Sequence, residues 1–214
     1  LEKGNLSDVV TVGENAAASS FPADASLCGL QEGDQLTLGD LLYGLLLSSG
    51  NDAATAIAEH ISGSEEAFVE EMNARAKELM AVNTHFTNPH GLHDDNHYTT
   101  AYDLYLIFNT CIQNEEFMKV IETESYTASI KEADGSVRTE EWKPTNYYAR
   151  GIVNAPDGVT VVGGKTGTTG EAGYCLILLD RNSADHPYIS IVMGAGSRDI
   201  LYQNMNALLE GTQN

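Results

Sequence analysis

The stretch GGKTGTTGEAGYCLILL, residues 163–179, places a lone lysine among glycine and threonine residues, just ahead of a run typical of a buried strand. Small and hydroxyl-bearing residues surround Lys165, a turn is expected at residues 169–173, and apolar residues dominate from Tyr174 to Leu179. We therefore expect Lys165 on an extended segment near a sheet edge, where free backbone groups can pair with an extended peptide. A cation and hydroxyl groups there favour a site for a substrate carboxylate. The Lys-Thr-Gly tripeptide alone is also compatible with an ordinary loop lysine.

Length and charge restrict the classes of protein to consider. A chain of 214 residues with 42% hydrophobic content predicts one globular domain, or one domain with a small flap. Its 11 basic and 31 acidic residues give a formal charge of -20, which argues against nucleic acid as a partner because phosphates would be repelled. The sequence contains neither an apolar run of 18 residues nor a recognisable signal peptide. Its three scattered cysteines predict no disulfide framework: Cys28, Cys111 and Cys175.

Helical periodicity dominates the first half of the chain. Leucines at three- and four-residue steps between 38 and 46 predict a buried helix that begins near Thr37, and residues 53–61 continue with a second helical pattern. The polar residues 48–51 form the corner between these two helices. Further helices are expected from Ser64 to about Ala81, from Thr100 to Cys111 and from Asp199 to Leu209.

The second half of the chain favours antiparallel strands. Alternation about Asp134-Gly135 predicts one hairpin, and a second, more buried hairpin is expected around the connection DRNSADH. The strands of these hairpins are expected at 125–130 with 137–142, and at 174–179 with 188–193, and a short strand is expected at Val9 to Val12. Helices followed by antiparallel strands predict an α+β fold in which helices cover an antiparallel sheet.

The corner Ser49-Gly50-Asn51 has two interpretations. A fixed position between two buried helices can aim a hydroxyl and an amide into a cleft. The same residue types are the usual helix caps, which is sufficient to explain them without any chemistry. The two interpretations are compatible.

Three blocks of sequence, taken together, resemble the D-alanyl-D-alanine carboxypeptidases among the low-molecular-mass penicillin-binding proteins. The blocks are LLYGLLLSSGNDAATAIAEHI, NPHGLHDDNHYTTAYDLYLI and GGKTGTTGEAGYCLILL, and the resemblance extends from about Leu1 to Leu209. It implies a β-lactamase/transpeptidase-like fold in which Ser-x-x-Lys, Ser-x-Asn and Lys-Thr-Gly meet in one cleft. Ser49 and Asn51 match the second motif, and Lys165 begins the third.

The resemblance assigns a role to each matching residue. Ser49 would relay a proton between the cleft and the leaving group, Asn51 would hold the substrate amide, and Lys165 would polarise Ser49 and the carboxylate site. The residues implied to bind substrate, including its terminal D-Ala carboxylate, are Thr166, Gly167, Thr168 and Arg198. No cofactor is expected, because serine acyl transfer requires only a nucleophile, a proton shuttle and donors for the oxyanion.

The first motif is missing, since none of the lysines follows a serine by three residues. The opening LEKGNLSD is similar to the end of the family's nucleophile helix, so we expect the nucleophile roughly three helical turns upstream. Residues 1–214 would then be a single penicillin-binding domain without its N-terminal strand, its nucleophile helix or any C-terminal β-domain. Contact with the membrane would occur only through segments outside this sequence. The missing helix should leave a groove, which could be filled by self-association.

The histidine-rich loop raises the alternative of a metal site. His90, His93 and His97, with Asp94 and Asp95, supply enough possible ligands. Their spacing does not match His-Glu-x-x-His, and Asn-Pro and Gly at 88, 89 and 91 predict a loop. We expect no metal. The resemblance implies a loop beside the active site, with His90 and Gly91 holding its shape.

The function implied by the resemblance is that of a serine carboxypeptidase that removes D-Ala from peptidoglycan stem peptides through an acyl-enzyme and is inhibited by β-lactam antibiotics. Its expected location is the cell envelope, outside the cytoplasmic membrane. This chain alone is expected to be inactive. Two alternatives remain, because the shared motifs do not separate them: a non-catalytic peptidoglycan-binding domain and a β-lactamase of the same fold.

Overall fold

The computed structural model describes residues 1–213. The strands are β1 (Val9–Thr11), β2 (Gln35–Thr37), β3 (Tyr126–Lys131), β4 (Val137–Trp142), β5 (Thr160–Thr169), β6 (Gly173–Arg181) and β7 (Pro187–Ala195). The helices are α1 (Leu38–Leu47), α2 (Asn51–Ser62), α3 (Glu65–Glu78), α4 (Ala101–Cys111), α5 (Glu115–Ile121) and α6 (Arg198–Gly211), with a short 3₁₀ turn at Ala18–Ser20. Helices thus dominate the first half and hairpins the second, as expected.

The helix boundaries follow from capping residues. A capping box begins α1, in which the Thr37 hydroxyl accepts from the Asp40 N–H and the Asp40 carboxylate accepts from the Thr37 N–H. Gly63 ends α2 in the left-handed conformation, with φ at 83°. Asn114 caps α5, which the sequence analysis missed because seven residues are too few for a clear apolar period.

The strands form two sheets, where the sequence predicted one. One sheet has the order β1-β2-β3-β4 and the other the order β5-β6-β7, with antiparallel pairing throughout. Both predicted hairpins are confirmed, as β3 with β4 and β6 with β7. The unpredicted strand β2 pairs with Val9–Thr11 and with Lys131, partners too distant in sequence for a local pattern to reveal.

Each sheet has its own core. The first core joins α1 and α2 to β1–β4, and its members include Leu41, Ile130 and Trp142. The second lies between α6 and the three-stranded sheet, where Leu178 and Met205 are fully buried. Of the groups that the sequence analysis assigned to chemistry, Ser49 and Asn51 lie at the α1–α2 corner, residues 165–168 lie on β5, and Arg198 begins α6. Within residues 1–213, none of the helices combines the length and the apolar character that crossing a bilayer requires.

Candidate active site

The corner between α1 and α2 holds Ser49 in an uncommon backbone conformation. Its φ is 58°, in the left-handed region that residues other than glycine seldom adopt. The Gly50 N–H donates to the carbonyl of Gly44 at 3.3 Å, and the Asn51 N–H donates to the carbonyl of Ser26 at 2.9 Å. Such a conformation persists only where surrounding contacts determine it. Ser49 is therefore presented by a fixed corner, with the buried Asn51 two residues away in the first turn of α2.

Asp52, in the first turn of α2, stabilises this corner through hydrogen bonds to a neighbouring backbone segment. Its carboxylate is 0% exposed and accepts the backbone N–H of Cys28 at 2.8 Å and of Leu30 at 3.1 Å. Gly50 packs so closely on the same segment that a Cβ there would lie 2.3 Å from Cys28 Sγ. Sequence reasoning missed Asp52, although an acid in the first turn of a buried helix was a signal for it. The segment around Cys28 is thus attached directly to the Ser49 corner.

Lys165 completes the inner part of the site from the three-stranded sheet. Its Nζ donates to Ser49 Oγ at 2.7 Å and to the carbonyl of Thr166 at 2.8 Å. Burial lowers the pKa of Lys165 from its ordinary value of 10.5 to about 8, because the charged ammonium is desolvated. A lysine with that pKa can exchange a proton with a hydroxyl near neutral pH.

The predicted carboxylate-binding residues continue along β5, which is an edge strand as expected. Thr166 Oγ1 shares a hydrogen bond with Thr145 Oγ1 at 2.6 Å, while Gly167 and Thr168 are exposed. The Thr145 N–H also donates to the carbonyl of Leu47 at 3.2 Å, so it links the end of α1 to the strand. Sequence reasoning missed Thr145, which no motif marks.

Arg198 lies further along, near the turn between β5 and β6. It is the first residue of α6, is exposed, and has its guanidinium 5.7 Å from the centroid of the Tyr174 ring. Tyr174 is the β6 partner of Thr168 in the antiparallel register. The structure therefore joins Ser49 to Lys165 by a direct contact, and sets Arg198 beside the strand that pairs with Thr168.

The histidine loop is held by its own hydrogen bonds. Gly91, with φ at 83°, donates its N–H to Asn88 Oδ1 at 2.6 Å, and His90 Nδ1 accepts from the Leu92 N–H at 3.2 Å. Burial lowers the pKa of His90 to about 4, so the ring is neutral at physiological pH. His93 Nδ1 lies 3.9 Å from Glu171 Oε2 in the β5–β6 turn, which puts the loop beside the end of β5. In the part of the chain that the structure describes, no group of three or more His, Cys, Asp or Glu could hold a metal ion.

Comparison with known sequences gives one consistent family. Residues 2–197 match the Peptidase S11 family, described as D-alanyl-D-alanine carboxypeptidase. The D-alanyl-D-alanine carboxypeptidase DacF of Bacillus subtilis is 36% identical over 199 residues, which are 92% of this chain and 47% of that protein. The DacA enzyme of Haemophilus influenzae is 37% identical over 199 residues, covering 91% of this chain and 46% of that protein. The chain thus spans about half the length of these curated relatives.

Comparison with solved structures agrees. The crystal structure of the Streptomyces K15 DD-transpeptidase is similar with a TM-score of 0.86 and 30% identity, covering 99% of this chain and 80% of that one. Penicillin-binding protein 5 from Haemophilus influenzae has a TM-score of 0.84 and 33% identity, covering 98% of this chain and 57% of that one. These similarities confirm the predicted α+β, transpeptidase-like fold. With its fold and almost its whole length matched, this chain belongs to the Peptidase S11 family of D-alanyl-D-alanine carboxypeptidases.

Proposed function

We propose that this chain forms most of the catalytic domain of a serine D-Ala-D-Ala carboxypeptidase. The enzyme would remove the terminal D-Ala of peptidoglycan stem peptides through an acyl-enzyme, outside the cytoplasmic membrane, and β-lactam antibiotics would acylate it. The observation that carries the proposal is the 2.7 Å hydrogen bond from Lys165 Nζ to Ser49 Oγ. It joins the two motifs that the sequence analysis singled out, in a chain whose family is that of D-alanyl-D-alanine carboxypeptidases.

The contacts suggest how the chain's own residues act. Lys165, with its pKa lowered to about 8 by burial, orients the Ser49 hydroxyl and supplies the proton that Ser49 passes to the departing D-Ala amine. The side-chain amide of Asn51 would hold the peptide amide. The edge strand β5 would pair with the extended peptide, while Thr166, Gly167, Thr168 and Arg198 receive its carboxylate.

The nucleophile is proposed to lie in the segment that precedes Leu1. A groove of about 720 Å³ opens beside Leu1 and is lined by apolar side chains of five helices, namely Leu42, Leu45, Ile57, Ile61, Phe68, Met72, Ile107 and Phe117. The start of the chain is tied to the rim of this groove by ion pairs of Lys3 with Glu71 and of Glu2 with Arg75, both 2.7 Å long. A helix that ends at Leu1 would fill the groove with its own apolar side chains. The apolar side chains that line the groove would otherwise remain in contact with water.

A non-catalytic peptidoglycan-binding domain is the second candidate. It is favoured by one observation, the absence of Ser-x-x-Lys from residues 1–214. In that case Asn51, Lys165 and Thr168 would recognise a peptide end that nothing attacks. The same groove would then be available to a second copy of the chain.

The test is intact mass after incubation with excess benzylpenicillin. It compares residues 1–214, a form extended upstream by roughly thirty residues, enough for a nucleophile helix and its lead-in, and the extended form with Lys165→Met. A penicilloyl mass gain in the extended form alone, lost in the Lys165→Met variant, is the expected result. A gain in residues 1–214 would contradict the upstream nucleophile. A gain in neither form would favour the binding domain, and rapid hydrolysis of penicillin without a lasting adduct would favour a β-lactamase.

A further inference from the structure

Thr145 lies in the connection between β4 and β5, at the point where the chain passes from one core to the other. Trp142, the last residue of β4, is buried in the first core, and Tyr148 packs against the second. Between them Asn146 is 2% exposed, and its Oδ1 accepts the Tyr148 N–H at 3.0 Å. The half-buried Thr145 is therefore held in a fixed segment between the two halves of the molecule.

Thr145 forms one hydrogen bond to each half of the candidate site. Its N–H donates to the carbonyl of Leu47 at 3.2 Å, at the end of α1 and two residues before Ser49. Its Oγ1 shares a 2.6 Å hydrogen bond with Oγ1 of Thr166, the residue that follows Lys165 on β5. One threonine thus connects the two elements that carry Ser49 and Lys165.

The contact between Lys165 and Ser49 depends on how these two elements are spaced. Lys165 Nζ donates to two neutral oxygens, Ser49 Oγ at 2.7 Å and the Thr166 carbonyl at 2.8 Å. The first oxygen belongs to the α1–α2 corner and the second to β5 itself. Because N–H···O hydrogen bonds lie between about 2.7 and 3.2 Å, a shift of roughly 1 Å between corner and strand would leave Lys165 bound only to its own strand.

We propose that Thr145 is a positioning residue that sets the distance between Lys165 Nζ and Ser49 Oγ by joining the end of α1 to β5. It acts through Leu47 and Thr166 rather than at the reacting atoms. That this distance serves acyl transfer rests on the function proposed above, whereas the contact itself can be measured without it. Loss of the Thr145 hydroxyl would release β5 while the backbone bond to Leu47 remains, so Lys165 would move relative to Ser49.

The test follows the Ser49 Cβ signal in NMR spectra of residues 1–214 as the pH is raised through the pKa of Lys165, which is about 8. In the unmodified chain the Ser49 signal should shift with that pKa, because the lysine donates to its hydroxyl, and Lys165→Met should abolish the shift. Thr145→Val keeps the branched shape and removes only the hydroxyl. The amplitude of the Ser49 shift should then fall about fivefold, since a neutral hydrogen bond changes a two-state balance by roughly that factor.

Matched variants separate positioning from general destabilisation. Thr145→Ser keeps the hydroxyl and should restore the amplitude. Thr99→Val removes an equivalent contact just before α4, the 2.8 Å hydrogen bond between Thr84 Oγ1 and Thr99 Oγ1, and should leave the Ser49 shift unchanged. If Thr145→Val does not fold, Thr166→Val breaks the same hydrogen bond from the strand side and should lower the amplitude equally.

The extended form gives a second measurement, the rate of acylation by benzylpenicillin. Thr145→Val should lower the limiting rate about fivefold and change the half-saturating concentration of penicillin by less than about twofold, because a positioning residue affects the reacting geometry and not binding. Thr99→Val should change neither value.

Two results would overturn the inference: a Ser49 shift of equal amplitude in Thr145→Val and Thr99→Val, or an unmodified chain in which Ser49 does not respond to Lys165. If both variants of the extended form are acylated at equal rates, the enzyme stands and the positioning role falls. If the Ser49 shift falls as expected while the extended form is not acylated, the positioning role stands and the enzyme falls.

Discussion

The two ends of the candidate site are built in different ways. The inner end, Ser49 with Asn51 and Lys165, is held by backbone hydrogen bonds and by the buried carboxylate of Asp52. The outer end, Thr168 with Arg198, is exposed, and its arginine is held by aromatic rings. The two ends are connected by β5, which carries Lys165 and Thr168, while Ser49 and Asn51 come from the α1–α2 corner and Arg198 from α6.

This difference matches what each end would have to do. Proton exchange at the inner end requires a short fixed distance and a desolvated lysine, because desolvation is what lowers its pKa. Capture of a charged peptide terminus requires an open end with unpaired cations. Substitutions at the inner end should therefore change the free energy of unfolding, and those at the outer end should change binding alone.

The largest effect is expected from Asp52→Ala, which removes the support behind Ser49. The variant leaves the buried N–H groups of Cys28 and Leu30 without an acceptor, so the free energy of unfolding should fall by about 4 kcal/mol. Urea unfolding measures it. The control Asp95→Ala removes a carboxylate whose side chain is 98% exposed, and should change stability by less than about 0.5 kcal/mol. Equal losses in both variants would refute the proposed support.

An effect of intermediate size, with a defined pH dependence, is expected at Lys165. Its pKa is about 8 in the folded chain against an ordinary 10.5, so the unfolded chain binds more protons between these values. Stability should therefore rise with pH across this window, by about 3 kcal/mol in total, through this group alone. Lys165→Met should remove that rise. At pH 7 the variant no longer buries a charged ammonium but loses the hydrogen bond to Ser49, so its free energy of unfolding should increase by about 2 kcal/mol in net.

The free energy of unfolding is measured with urea at pH 7 and pH 10, and the value for the unmodified chain is subtracted from that for each variant. That difference should shrink with pH for Lys165→Met. It should stay constant for Lys77→Met, which removes an exposed lysine from α3. A constant difference for both would mean that Lys165 is not desolvated.

The smallest effect on stability is expected from Thr168→Ala at the outer end. The residue is exposed, so the free energy of unfolding should change by less than about 0.5 kcal/mol. The affinity for a D-Ala-D-Ala peptide should fall about threefold. Thr166→Val is the matched comparison, because it removes the 2.6 Å contact with Thr145 and should cost about 1 kcal/mol. If Thr168→Ala destabilises more than Thr166→Val, the contrast between the two ends is wrong.

Much of the local structure could be predicted because it depends on neighbours in sequence. The helix start at Thr37, the corner at residues 48–51 and both hairpins follow from apolar periodicity and capping residues. Strand β2 and helix α5 were missed, since one is short and pairs only with distant segments, and the other has only seven residues. The division into two sheets likewise depends on long-range pairing.

By itself, the sequence determined the helical and extended segments, the two motifs at Ser49 and Lys165, and the resemblance that the family match bears out. Only the tertiary structure decided that these two residues, 116 positions apart, share a 2.7 Å hydrogen bond. It also decided that Asp52 accepts a hydrogen bond from the backbone of Cys28 and that Arg150 and Arg198 both lie near the Tyr147 ring. The physical reason is that periodicity reports which face of an element is buried, whereas distances and lowered pKa values depend on which distant elements pack there.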